Sequence, residues 1–341
     1  MKKIFFINFY VFVFLLIILE LVFGYWFKED NFGIHVRKHR NQSENYEIQL
    51  NSQKYKFTYK RNFYGFRGEE IEDLSKVKYV FLGGSTGNER LLPEELTIVG
   101  KINSKFKANN FKKIHIYNAS VDGKSLRGHK NDFKFWFTKL KNFQPDYFII
   151  YVGINDTYLG DEIKYDLTFG QKNYRKILDY ISNNSISVEL IKKIKWKYFN
   201  SFKQKYDIDN SNEIYTENYK YINYYKAKEI YNIQNLKNKH SYLFERYKKR
   251  LEDIYEESKN FDSKIIFITQ IKFDGLKDDK LYLLNEITKE FSKEKKINVI
   301  KLDEKYVGGI NDFYDHNHPT EKGSDKISEI IYSELIKIIF P

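Results

Sequence analysis

The chain of 341 residues contains no cysteine, one methionine and four prolines. The first absence excludes disulfides and every zinc site built on thiolates. It does not fix a redox compartment. The sequence is also rich in Lys, Asn, Ile, Tyr and Phe and poor in Pro and Ala, which suggests an AT-rich coding bias. Nucleic-acid-binding motifs are absent as well. The formal net charge is +12, but 46 acidic residues are interspersed among 58 basic ones. The charges therefore read as solvated faces, and no nucleic-acid partner is expected. What is present is a globular composition, 42% hydrophobic and 30% charged, with an aromatic share of 18%. The length suits one large domain or two modest ones.

Residues 4–27, IFFINFYVFVFLLIILELVFGYWF, form a run of 24 residues, where about 20 span a bilayer. It ends in Tyr25, Trp26 and Phe27, an aromatic interface belt. Asn8 and Glu20 interrupt it, and Glu20 lies close enough to one end to reach the headgroups or to pair within the membrane. No small-residue cleavage site follows, so the segment reads as an uncleaved anchor and not a removed signal peptide. The lipid bilayer is thus the first expected partner. Orientation is not decided by counting Lys and Arg, because Lys2 and Lys3 on one side face Lys28, Arg37, Lys38 and Arg40 on the other.

Three regions follow from this pass: an anchor at 1–27, a juxtamembrane linker with a small hairpin at 28–76, and a main domain at 77–341. The hairpin is expected at Tyr46–Tyr59, around Asn51-Ser52. Arg67, after it, reads as a surface or structural residue ahead of a substrate contact. In the main domain, strands are expected at 77–82, 114–117, 147–152, 264–269 and 299–302. Helices are expected at about 94–108, 127–142, 241–260, 277–294 and 320–339. Strands alternating with helices imply a parallel, doubly wound α/β sheet. The interval at about 157–238 shows no obvious strand and two helical patterns, near 172–182 and 187–203. The second has a basic face that could lie on an anionic membrane surface or cap a groove, or simply face water while the helix packs on the domain. No internal repeat is found.

The stretch VKYVFLGGSTGN, Val77–Asn88, is where the main domain turns toward chemistry. An apolar strand stops at Gly83-Gly84, presents Ser85 and enters a helix. A serine oxygen there can attack a carbonyl, and free N–H groups at the helix start lie beside the resulting oxyanion. A base and an orienting carboxylate are available in Asp315-His316-Asn317-His318-Pro319. Asp315 and His318, three apart, can fold back on each other so that one imidazole nitrogen meets the carboxylate and the other faces Ser85. Asn118–Gly123 and Gly153–Asp156 end the next two strands, where doubly wound sheets bind ligands.

In order, Gly83-Gly84-Ser85, Asn118-Ala119-Ser120-Val121-Asp122-Gly123, Gly153-Ile154-Asn155-Asp156 and Asp315-x-x-His318-Pro319 resemble the four sequence blocks of the SGNH (GDSL-type) hydrolase family. Each block alone is weak; four in order, three of them after expected strands, are specific. The first reads GGS where the name-giving motif reads GDS, which leaves the nucleophile in place. The resemblance covers about residues 77–340, apart from most of the 157–238 insertion. The G-x-S-x-G elbow of α/β-hydrolases fits Gly83–Gly87 too. That fold, however, places several strands before the nucleophile and puts acid and base on separate loops. A P-loop fails for want of Gly-Lys-Ser/Thr. Asp315, His316 and His318 could bind a metal, but an open hydrolase loop explains them better.

The resemblance implies an SGNH/flavodoxin-like three-layer sandwich with about five parallel strands, preceded by one transmembrane helix. It implies Ser85 as nucleophile, His318 as general base and Asp315 as its support. The oxyanion hole would comprise the N–H groups of Ser85 and Gly123 and the Asn155 side chain. Asp156 reads as a brace for its loop. The function so implied is a membrane-anchored serine esterase hydrolysing or transferring an acyl or O-acetyl ester, with no metal and no cofactor. Its expected substrate is an acylated cell-surface carbohydrate, with the domain on the extracytoplasmic side of the cytoplasmic membrane. The alternatives are a lysophospholipase or thioesterase at the bilayer, and a catalytically silent binding module in envelope polysaccharide assembly.

Overall fold

Five apolar runs become five parallel strands. The computed structural model describes residues 2–27, 36, 39–111, 113–158, 173–191, 194, 205–208 and 214–341. In chain order the strands are β1 (Gln42–Leu50), β2 (Gln53–Arg61), β3 (Tyr79–Gly83), β4 (Ile116–Asn118), β5 (Tyr147–Tyr151), β6 (Lys205–Ile208), β7 (Lys264–Ile268) and β8 (Asn298–Ile300). The main sheet has the order β4-β3-β5-β7-β8, and every neighbouring pair is parallel.

Alternation along each strand sorts its side chains between two cores. Val80, Leu82, Phe148, Ile150, Ile265 and Phe267 face one layer, which includes Phe133, Leu251 and Leu284. Phe81, Ile149, Ile266 and Ile268 face the other, which includes Val99, Ile102, Ile327 and Leu335. The first layer is built from helices Leu126–Phe135, Ser241–Lys259 and Asp279–Lys295, the second from Ile98–Ala108 and Glu321–Ile339. The result is the three-layer α/β sandwich that the alternation of elements predicts. Both faces are covered, which is why β5 and β7 read as unbroken apolar runs.

Two expected helices are shorter than their periodicity suggests. The 94–108 pattern divides at Thr97, whose side chain accepts from Gly100 N–H and starts the helix Ile98–Ala108. Before it, Glu94–Leu96 is a single 3-10 turn. The 127–142 pattern stops after Phe135, and Phe137–Lys139 tightens into a 3-10 turn. Trp136 sits between the two, fully buried, with its indole N–H donating to Tyr64 O at 2.8 Å.

The hairpin forms around Asn51 and Ser52, whose φ values of 45° and 70° are the left-handed pair that a two-residue turn requires. It extends further than expected, over 42–61. It also packs on the sandwich: Tyr46, Ile48, Leu50 and Tyr59 share a core with Leu92 and Tyr314. The interval read as lacking strands contains one. β6 lies parallel to β1, with Glu47 opposite Lys205 and Leu50 opposite Ile208. Its four residues, KYDI, are too short and too polar to carry an alternation signal. The expected helix near 172–182 is present as Asn173–Asn184. Of the expected 187–203 helix, residues 187–191 and 194 are helical, and the rest lies outside the described residues. The helix Lys2–Phe23 is long and apolar enough to cross a membrane, and its most apolar stretch is uncovered by the rest of the chain.

Phe148, fully buried, packs its ring against Phe133 at 4.6 Å and Phe137 at 5.5 Å. Phe148→Ala leaves a cavity at the centre of this cluster and is expected to lower stability by about 3–5 kcal/mol, measured by urea unfolding.

Candidate active site

The chain leaves β3 toward β4 on one side and returns to β5 on the other. Such a reversal opens a crevice at the carboxyl end of β3. Ser85 stands there, on a single helical turn, Ser85–Asn88. As the first residue of that turn, its N–H has no intrahelical acceptor. Gly84 precedes it because nothing larger fits. A Cβ at Gly84 would lie 2.2 Å from Asn155 Nδ2 and 3.1 Å from Lys124 O. Gly123 takes φ +77° in the loop after β4, and a Cβ there would meet open space. The loop after β5 brings Asn155, whose Nδ2 donates to Lys124 O at 2.8 Å.

The loop before the last helix completes the cluster. Phe313 and Pro319 bridge in antiparallel fashion, and Tyr314 N–H donates to His318 O at 3.1 Å, so 313–319 forms a tight turn. Inside it, Asp315 Oδ1 accepts the N–H groups of Asn317 and His318, each at 2.8 Å. Asp315 Oδ2 lies 2.7 Å from His318 Nδ1, and His318 Nε2 lies 2.7 Å from Ser85 Oγ. Burial pushes the Asp315 carboxyl up, but the imidazole and the two backbone donors outweigh it and hold the group below its ordinary value. With Nδ1–H directed at that carboxylate, Nε2 is left to accept the Ser85 hydroxyl proton. Tyr314 stacks on the imidazole at 5.6 Å and 11°. His316 packs its ring against Phe273.

Residues 230 positions apart in sequence thus meet in one hydrogen-bonded row, and the Asn155 amide lies against Gly84 beside it. Comparison with known proteins identifies the family. The family model for GDSL-like Lipase/Acylhydrolase matches residues 81–331. The chain belongs to this family. It is an ester-bond hydrolase.

Solved structures similar to this GDSL-like hydrolase include a catalytic mutant of Axe2, an acetylxylan esterase from Geobacillus stearothermophilus, at 15% identity and TM-score 0.43, covering 77% of this chain and 94% of that one. TesA is similar at 11% identity and TM-score 0.44, covering 76% and 99%. A member of the lipolytic G-D-S-L family from Veillonella parvula is similar at 12% identity and TM-score 0.42, covering 77% and 98%. Likenesses this distant say nothing of this hydrolase's substrate. Among curated proteins, none matches.

Other side chains hold the site's loops. Asp156, fully buried, accepts from Leu126 N–H at 3.1 Å and from Arg250 Nη1 at 2.8 Å, and so ties two loops to a helix. Arg67 is a structural residue and is not on the surface. It is buried and donates to Glu94 Oε2 at 2.5 Å, to Leu92 O at 2.7 Å and to Asn88 O. Three further residues had no signal strong enough to be singled out from sequence. Arg61, on β2, donates to Ser120 O at 2.8 Å. Gln270 accepts from Ile154 N–H at 2.6 Å and donates to Thr86 Oγ1 at 3.0 Å, linking the ends of three strands. The Thr269-Gln270 pair closing an apolar run was the available clue. Glu89, at φ 45°, ends the Ser85 turn and accepts from Ile98 N–H at 2.5 Å and from Ser324 Oγ.

Burial pushes the Glu89 carboxyl up to about 8, against the pull of Ser324, Ile98 N–H and Arg67. Its folded value lies above its unfolded one, so the protonated form contributes stability at low pH that is lost as pH rises toward 8. Urea unfolding of the hydrolase should therefore weaken between about pH 4.5 and 8, and Glu89→Gln should flatten that decline. Gly84→Ala should displace the Asn155 amide and break its hydrogen bond to Lys124 O, lowering stability by about 1 kcal/mol. The expected result is a fall in kcat toward that of Asn155→Ala, about 10²–10³-fold below the parent if the amide is an oxyanion donor, read with a p-nitrophenyl ester.

Proposed function

We propose that Ser85 is the nucleophile of a membrane-anchored esterase acting on an acylated carbohydrate next to the bilayer. The observation carrying this reading is the row of 2.7 Å contacts from Asp315 through His318 to Ser85 Oγ. A silent binding module has no use for such a row. Ser85 Oγ attacks the ester carbonyl while His318 Nε2 takes its proton, and Asp315 stabilises the imidazolium that forms. The oxyanion receives the N–H groups of Ser85 and Gly123 and the amide of Asn155. As the intermediate collapses, the proton on His318 passes to the departing alkoxide and the acyl group remains on Ser85. Water, or a second sugar hydroxyl in a transfer reaction, then attacks with His318 as base.

Two features support the finer reading. Tyr158 is half exposed on the rim of the site, its hydroxyl accepting from Asn317 Nδ2 at 3.2 Å, and offers an aromatic face of the kind that stacks on sugar rings. The uncovered apolar helix Lys2–Phe23 supports an anchor at residues 4–27, and we place the hydrolase domain on the extracytoplasmic side of the cytoplasmic membrane.

The test uses the full chain in detergent with a fluorophosphonate probe, read by intact mass. One adduct is expected, absent in Ser85→Ala. His318→Ala should lower ester turnover by a factor on the order of 10⁴–10⁶. No adduct on a folded sample would remove Ser85 from this role. Turnover of O-acetylated oligosaccharides should exceed that of lysophospholipids and acyl thioesters, and the reverse order would assign the enzyme to lipid.

A further inference from the structure

Glu20 lies three residues before the end of the apolar helix Lys2–Phe23, about 4.5 Å of helical rise. Its carboxylate has four donors. Trp26 Nε1 is at 2.8 Å and Ser185 Oγ at 2.6 Å, while the N–H groups of Ser187 and Ile186 are at 3.0 and 3.2 Å. Nearby, Tyr25 N–H donates to Asn184 O at 2.8 Å, and the Trp26 ring meets Tyr180 edge-on. The turn at 184–187, which joins the helix Asn173–Asn184 to the helical residues after it, is therefore fixed to the last turn of the apolar helix.

The two helical pieces flanking that turn leave apolar side chains uncovered. Ile177, Leu178 and Ile181 before it, and Leu190, Ile191 and Ile194 after it, are between 41% and 63% exposed. Each triplet has the spacing i, i+1, i+4, so each lies along one helical face. An ordinary surface helix of a globular domain turns such a face inward.

We propose that residues 177–191 and 194 lie in the membrane interface, as helical pieces sunk among the headgroups and upper acyl chains of a lipid bilayer beside the spanning helix. The inference rests on the reading of residues 4–27 as an anchor. Lipid is the occupant because Glu20 sets the depth: whatever donates to a carboxylate inside the last turn of a spanning helix sits at that same level of the bilayer. Paired by four donors, the charge is tolerated there. In sequence, Lys192 and Lys193 stand just before Ile194, and Lys195 and Lys197 after it, a basic composition that suits anionic headgroups.

The natural absence of cysteine makes single-cysteine labelling direct. Full-length Ile181→Cys, Ile191→Cys, Leu21→Cys and Lys259→Cys would each carry a nitrobenzoxadiazole dye in phosphatidylcholine–phosphatidylglycerol vesicles, with nitroxide on the upper acyl chain as quencher. Lys259 ends the helix leading into β7, at the sheet edge opposite Ser85. Quenching at 181 and 191 is expected to exceed that at 259 several-fold, and to fall when Glu20→Ala is added while quenching at 21 persists. Quenching at 181 and 191 no stronger than at 259, with 21 still quenched, overturns the inference and leaves the anchor standing. A blue-shifted but unquenched dye at 181 and 191 means contact with a second copy and overturns it too. Loss of quenching at 21 overturns the anchor and this inference together, while fluorophosphonate labelling of Ser85 remains a separate result.

Discussion

At Gly84 the backbone of the Ser85 turn meets the Asn155 side chain with no room for a methyl group. That close approach is the constraint on which the site depends. It sets the serine turn and the Asn155 amide, which follow two adjacent parallel strands, side by side at one level. The reversal of strand order beside β3 makes the approach geometrically available, and the loss of a side chain at Gly84 makes it sterically possible. The Asp315–His318 turn then has only to arrive from the far end of the chain, and its own backbone donors hold it in shape.

Polar side chains at the carboxyl edge of the sheet act mainly on each other's loops. Gln270, Asp156, Arg61 and Arg67 each join segments distant in sequence, and most of their partners are backbone groups. A buried side chain that bonds backbone fixes a loop's path more firmly than one that bonds another side chain, because fewer rotamers remain on the far side of the bond. Such a frame suits a reaction in which donors must already be aligned when negative charge develops.

Much of this was legible in the sequence, for physical reasons that differ from piece to piece. The runs that became β3, β5 and β7 were plain because both their faces are buried, which demands apolar residues throughout. Ser85 could be singled out because a strand stops at two glycines before it, and the Asp315–His318 pair because acid and base stand three apart. Asn155 could be singled out only through the resemblance of its block to the SGNH family. β6 was invisible because an edge strand of four residues needs no pattern of its own. Gln270 and Arg61 were invisible because what they recognise is backbone, and a carbonyl has no letter in the sequence. The partner of Glu20 could not be read either, since it lies 165 residues away.

The pairing of β6 with β1 has an effect on the intervening chain. The excursion that begins after Thr157 is tied at its start by Asp156 and at its return by β1. Between those two ties, residues 184–187 are fixed a third time, to the last turn of the apolar helix. The entropy of closing a loop grows only with the logarithm of its length, about 0.6 kcal/mol per doubling. Changes of length between the ties therefore cost the sandwich little, because its own strands and helices lie outside them.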